Sequence, residues 1–124
     1  PNEVLDFYFL LCSIELSCKE LSETFLFLAN YGKNPSNNID ILTKSQAKRV
    51  NAIMQTCGMY DESGEFTYKV GLPGKSGVGG GIVAINPNHY SIAVWSPVLN
   101  EKGNSCKAID FLEKFTTETE LSIF

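Results

Sequence analysis

Between Val70 and Asn86 the chain reads Val-Gly-Leu-Pro-Gly-Lys-Ser-Gly-Val-Gly-Gly-Gly-Ile-Val-Ala-Ile-Asn, and six of its ten glycines fall within these residues. Glycine admits backbone angles and close approaches that a β-carbon forbids, so such density marks a backbone shaped around a ligand or another strand. Ile82, Val83, Ala84 and Ile85 follow as a short apolar, largely β-branched run, which reads as a strand rather than a helix. That order removes two nucleotide-binding readings. A phosphate loop ending in Gly74-Lys75-Ser76 would need a glycine where Lys69 stands, and a helix next to hold the phosphate at its N-terminus. A dinucleotide fingerprint on Gly77, Gly79, Gly80 and Gly81 would also need a following helix.

The strand read over Gly79 to Asn86 is followed by a second, Tyr90 to Trp95. Pro87-Asn88-His89 between them reads as the loop of an antiparallel hairpin. In the second strand Ile92 and Val94 face opposite to Ser91, Ala93 and Trp95, so both faces are mostly apolar. A strand buried on both sides belongs inside a layered α/β arrangement.

Helical spacing dominates elsewhere. Val4, Leu5, Phe7, Tyr8 and Leu11 predict a short helix from Glu3 to about Cys12. Ser17-Cys18-Lys19-Glu20 is a capping box, opening a helix to about Asn30 with Gly32 as its stop. After the turn-rich Asn34-Pro35-Ser36-Asn37-Asn38, a second box, Thr43-Lys44-Ser45-Gln46, opens a helix that carries Ala47, Val50 and Met54 and ends at Gly58. Tyr60 to Val70 is compatible with either a short helix or an extended segment. A closing amphipathic helix from about Asn104 to Thr119 places Ser105, Ala108, Ile109, Leu112 and Phe115 along one face, which must pack on the sheet.

A chain of 124 residues is long enough to bury one domain core. Its net charge is −4, with ten Lys and Arg scattered rather than clustered, so the basic footprint of a nucleic-acid binder is missing. The longest apolar runs fall far short of a membrane span and no signal-peptide pattern opens the chain, which reads as a soluble protein. The four cysteines, Cys12, Cys18, Cys57 and Cys106, form no C-x-x-C and there is one histidine, His89, beside a turn, so a zinc site is not expected. Reduced, largely buried thiols are expected instead of disulfides, and His89 is expected to be solvated.

Lys75-Ser76-Gly77 at the start of a strand resembles the Lys-Ser/Thr-Gly element of serine β-lactamases and penicillin-binding proteins, where it lines an acyl-transfer site. Longer stretches extend the match. In order they are Val4-Leu5-Asp6-Phe7-Tyr8-Phe9, Cys12-Ser13-Ile14, Leu28-Ala29-Asn30, Cys57-Gly58-Met59-Tyr60-Asp61 with Ser63-Gly64, Val70-Gly71-Leu72-Pro73, Lys75-Ser76-Gly77-Val78, Trp95-Ser96-Pro97 and Gly103-Asn104-Ser105. The ordered set resembles the glutaminase family over nearly the whole chain. Gly74 stands where alanine is common in that family, and Leu21-Ser22 where Leu-Ala is frequent.

The resemblance implies an α/β fold, part of the β-lactamase-like and penicillin-binding-protein-like architecture, with helices packed on an antiparallel sheet. It implies hydrolysis of L-glutamine to L-glutamate and ammonia through a glutamyl-serine intermediate, without metal or cofactor. The resemblance implies a nucleophile in a Ser-x-x-Lys element upstream of this chain, so the chain reads as the C-terminal portion of a catalytic domain and is expected to be inactive alone. Substrate-contacting positions fall on Tyr8, Tyr60 and the backbone of Val78, with Tyr60 also the catalytic proton relay. Val78 is expected at the start of a strand paired with Tyr90 to Trp95, its N–H turned to a cleft. Lys75 is expected as an electrostatic wall, and Ser76 and Asn104 as supporting donors. A homo-oligomer, dimer or tetramer, is expected in the cytoplasm, or in the mitochondrion if the source is eukaryotic and a signal precedes Pro1. Competing readings are another serine acyl-transferase of the penicillin-recognising fold, such as a β-lactamase, and a non-catalytic module of that fold.

Overall fold

The computed structural model covers Pro1–Phe124. Helices α1 (Asn2–Cys12), α2 (Cys18–Ala29) and α3 (Lys44–Cys57) come first, and a 3₁₀ turn at Tyr60–Glu62 then runs into α4 (Ser63–Val70). Strands β1 (Gly74–Ser76), β2 (Gly81–Asn86) and β3 (Tyr90–Trp95) precede the closing α5 (Cys106–Thr119). Tyr60 to Val70, which the sequence leaves open, is therefore helical, with Phe66 and Val70 buried.

The strands form one antiparallel sheet in the order β1-β2-β3, with Gly74 opposite Ala84 and Ile82 opposite Val94. Side chains alternate across a strand, and β2 buries both faces. Ile82 and Ala84 join Phe66, Leu72, Ile109 and Leu112 in one core, on the side of α4 and α5. Val83 and Ile85 join Leu28, Ala47 and Met54 in the other, on the side of α2 and α3. The sheet is thus the middle of three layers, the α/β arrangement of helices packed on an antiparallel sheet that the resemblance implies.

The hairpin forms as expected, but β3 is not the doubly buried strand. Its residues are half-buried and Trp95 is exposed. The reason is β1, which the sequence reading did not count. It occupies the other side of β2, making β2 central and leaving β3 at the sheet's edge.

Both capping boxes form. Ser17 Oγ accepts from the Glu20 N–H at 3.2 Å while Glu20 Oε2 accepts from the Ser17 N–H at 2.8 Å. Thr43 and Gln46 repeat the exchange at α3, at 3.3 and 2.9 Å. Ser105 caps α5, accepting from the Ala108 N–H at 3.4 Å and donating to the Ser96 carbonyl at 3.0 Å. The residue in the left-handed position after α2 is Tyr31, φ 55°, and the N–H of Gly32 then closes on the Phe27 carbonyl at 2.7 Å.

Two expectations about burial fail. All four cysteines are free, but Cys12, Cys18 and Cys57 are exposed and Cys106 is half-buried. Each is the first or last residue of a helix, outside the stretch that faces the core. Helix α1 forms where predicted, yet none of its residues is buried, so Val4, Leu5, Phe7, Leu10 and Leu11 stand exposed. No helix is long and apolar enough to cross a membrane.

Candidate active site

The site begins where β1 lies across the end of α3. Gly58 has an ordinary right-handed φ of −75°, so it is not there for conformational freedom. Space requires it: a β-carbon on Gly58 would lie 1.7 Å from the Gly74 carbonyl oxygen. The contact lets the Ser76 N–H donate to the Gly58 carbonyl at 3.1 Å, in line with the Ser76 hydroxyl at 3.5 Å. Ser76 is thus buried against the end of α3 with its hydroxyl turned toward Gly58. Lys75, between Gly74 and Ser76, points the other way. Its Nζ lies 4.9 Å from the centroid of the Tyr60 ring, within cation–π range, and also donates to the Ser76 carbonyl.

Tyr60 itself has a φ of 52°, the left-handed backbone that Tyr31 also takes after α2, which costs a non-glycine residue about 1–3 kcal/mol and persists where the surroundings hold it. Those surroundings are a polar network. The Met59 N–H donates to Ser63 Oγ at 3.0 Å, and that hydroxyl donates to the Tyr60 carbonyl at 3.0 Å. Fully buried Asn104 donates from Nδ2 to the Met59 carbonyl at 3.0 Å and to Glu62 Oε2 at 2.7 Å. Asn100 Nδ2 reaches both Glu62 oxygens, at 3.0 and 2.8 Å. Glu62 is only 7 % exposed, and amide N–H groups satisfy its carboxylate in place of a cation. Asn104 thus supports Tyr60 as a donor, while Glu62 and Asn100 are additions the sequence reading missed. Glu62 follows exposed Asp61 with no spacing signal to tell the two apart.

Val78 lies elsewhere than expected. It occupies the turn between β1 and β2, and Gly81 is the first residue to pair with β3, opposite Trp95. The Gly77 N–H closes this turn on the Gly81 carbonyl and the Gly80 N–H on the Gly77 carbonyl, both at 2.9 Å, while the Val78 N–H makes no hydrogen bond. The turn is pinned from β3. Trp95 Nε1–H donates to the Gly79 carbonyl at 2.8 Å, and the Ser96 N–H to the Gly80 carbonyl at 3.2 Å. Gly80 needs to be glycine twice over, with a φ of 91° and a Ser96 oxygen that a β-carbon would approach to 2.5 Å.

Tyr8 stands apart. It is exposed on α1, where the Cys12 thiol one turn on pushes its phenol above the usual range. No hydrogen bond or aromatic contact joins it to Tyr60 or to the turn at Val78. The structure therefore brings Tyr60 and Lys75 together and sets Val78 in the turn after Lys75, with Tyr8 separate. No three His, Cys, Asp or Glu side chains converge as a metal site.

Chemically, an oriented phenol, an ammonium and a free backbone N–H are groups that bind or stabilise negative charge. They include no activated nucleophile. The serine beside Lys75 has its hydroxyl turned to Gly58. The one Ser-x-x-Lys in the chain, Ser45-Gln46-Ala47-Lys48, lies in the first half of α3 with Ser45 and Lys48 exposed, and the Ser45 hydroxyl accepts from Arg49 and not from Lys48.

Comparison with known proteins gives this partial site a context. The Glutaminase family model matches residues 1–124. Glutaminases of Saccharophagus degradans and Aliarcobacter butzleri are 63% and 58% identical over 121 and 123 residues, spanning 98% and 99% of this chain but 39% and 40% of their own lengths. A Bacillus subtilis glutaminase, solved as a covalent complex with 5-oxo-L-norleucine formed from 6-diazo-5-oxo-L-norleucine, matches with a TM-score of 0.86 at 37% identity, over 91% of this chain and 41% of that one. This chain spans about two fifths of the length of the curated relatives it matches, at 39–40%. With all of its residues matched, the chain belongs to the glutaminase family.

Proposed function

We propose that this chain forms part of the substrate site of an enzyme that hydrolyses L-glutamine to L-glutamate and ammonia through a glutamyl-serine intermediate. The observation that carries the reading is the backbone of Tyr60. Its left-handed backbone is fixed by a buried network and its half-exposed ring lies against Lys75, and this combination supports reading Tyr60 as a group held for chemistry. In this reading a serine hydroxyl from a Ser-x-x-Lys element attacks the side-chain amide carbon of glutamine. Tyr60 relays the proton that lets ammonia leave, and water then releases glutamate from the ester. The Val78 N–H donates to the developing oxyanion, and Tyr8 closes on the substrate from α1.

The Bacillus subtilis relative supports this chemistry, because a covalent adduct requires a nucleophile and the ketone of 5-oxo-L-norleucine stands where glutamine carries its amide carbon. A β-lactamase reading is disfavoured by a whole-chain match to the glutaminase model. The exposed apolar residues of α1 support a surface covered by more protein, either the portion bearing Ser-x-x-Lys or a second copy in a cytoplasmic homo-oligomer.

Replacing the matching C-terminal segment of a full-length relative with this chain tests the proposal. Ammonia release that saturates with L-glutamine supports it, and the 124-residue chain alone should release none. A folded hybrid without glutamine-dependent ammonia release contradicts it.

A further inference from the structure

The free N–H of Val78 stands in a turn with Gly77 on one side and Gly79 on the other, so the local sequence does little to fix the peptide plane that carries it. A donor that must aim at a developing charge needs a fixed plane. Here the plane is held from outside the turn, by a line of hydrogen bonds that begins at Trp95.

Peptides are planar and all are trans in this chain, so a carbonyl and the N–H of the next residue point opposite ways across one rigid unit. The Trp95 Nε1–H donates to the Gly79 carbonyl at 2.8 Å. Across that peptide stands the Gly80 N–H, which donates to the Gly77 carbonyl at 2.9 Å. Across the Gly77–Val78 peptide stands the Val78 N–H, with no partner in the chain. Turning the Val78 N–H away would break the bond from Gly80, and turning the Gly80 peptide would break the bond from Trp95. Hydrogen bonds in series also polarise one another, so a donor on the Gly79 carbonyl strengthens the N–H at the far end of the line.

Packing does not account for Trp95. It is more than half exposed and belongs to neither core, whereas Tyr90, Ile92 and Val94 of the same strand pack against one. The backbone beside it is anchored. Ser96 donates its N–H to the Gly80 carbonyl at 3.2 Å, and its carbonyl accepts from the buried Ser105 hydroxyl at 3.0 Å, so the strand end that carries the indole is tied to the cap of α5.

We propose that Trp95 is a positioning residue for glutamine hydrolysis, which orients and polarises the Val78 N–H through the Gly79–Gly80 and Gly77–Val78 peptides. This rests on the reading of that N–H as the donor to the oxyanion. Because the charge develops in the transition state, the contribution of Trp95 falls on kcat more than on KM.

The test uses a full-length glutaminase carrying this segment, with steady-state ammonia release as the readout. Trp95→Phe removes the indole N–H and part of the ring, while benzothienylalanine in place of Trp95 exchanges the N–H for sulfur and keeps the bicyclic shape. Each should lower kcat by about tenfold, a fraction of what loss of an oxyanion donor costs, with KM changed by no more than about twofold. If Trp95→Phe folds poorly, the isostere decides. α-Hydroxyisovalerate in place of Val78 turns its amide into an ester and removes the N–H itself, which should lower kcat by about 10² fold or more. In that ester background the isostere should cost nothing further, because the group through which it acts is gone. A wild type that releases no ammonia from glutamine, or an active one indifferent to the ester, overturns the reading of Val78 and this proposal with it. An active, ester-sensitive enzyme overturns the role of Trp95 alone if the isostere leaves kcat unchanged, acts only on KM, or multiplies its loss with that of the ester.

Discussion

The Gly74 carbonyl oxygen presses on Gly58 so closely that a β-carbon there would lie 1.7 Å from it, and this contact sets the height of β1 above the end of α3. Two residues beyond Gly58 comes Tyr60, and one residue beyond Gly74 comes Lys75, so the same contact sets the ammonium against the ring. Gly58→Ala is expected to cost about 3 kcal/mol, at the upper end for overpacking because the obstructing atom is backbone and cannot swing aside. Chemical denaturation measures it, and an unchanged midpoint would contradict the close approach.

The capping boxes at Ser17 and Thr43 make a second prediction. Both hydroxyls accept an N–H of the first turn and are exposed, so removing either takes away a cap and little packing. Ser17→Ala and Thr43→Ala should each cost about 1 kcal/mol. Ser22→Ala, whose hydroxyl donates within the helix to the Lys19 carbonyl, is the control, with a smaller expected change. A loss at Ser17 or Thr43 no larger than at Ser22 would contradict the capping argument.

These caps were legible because they depend on residues three apart in the chain. So were the hairpin and the apolar stripe of α5, both set by local periodicity. Strand β1 was not legible, because three residues beginning with glycine carry no periodic signal. Missing it misplaced Val78, which became the start of a strand in place of a turn, and misassigned the central position of the sheet. Glu62 escaped for another reason. Its partners Asn100 and Asn104 lie 38 and 42 residues further on, a pairing that only the tertiary fold creates. The position of Lys75 against Tyr60 is likewise long-range, and the sequence pointed to both residues through family resemblance while their spacing in the chain was silent.

Glu65 supplies the pH dependence. Hydrogen bonds first from Lys102 and then from Lys69, each ammonium at 2.9 Å, hold its carboxyl down at about 2 against an ordinary 4.5. A proton thus binds the unfolded chain more readily than the folded one. The stabilisation from this group is whole above pH 4.5 and is lost as the pH falls toward 2. The groups are exposed, so the contribution is modest and screened by salt. The Tm difference between wild type and Glu65→Gln should therefore be present at neutral pH, narrow at high salt, and close through the acid range. A difference independent of pH would contradict the pairing.

The central claim is that Tyr60 is held in its strained conformation to act on the substrate, and Tyr60→Phe in a full-length glutaminase carrying this segment tests it most directly. The substitution removes one hydroxyl from a half-exposed ring, leaving the buried network of Glu62, Asn100 and Asn104 and the packing of Lys75 in place. Loss of a proton relay in the chemical step should lower kcat by about 10² to 10³ fold, or about 3–4 kcal/mol of transition-state stabilisation, with KM little changed. Steady-state ammonia release by the two proteins gives both constants. An equal kcat, or a raised KM with kcat untouched, would mean that the hydroxyl only binds or only packs, and would contradict the account.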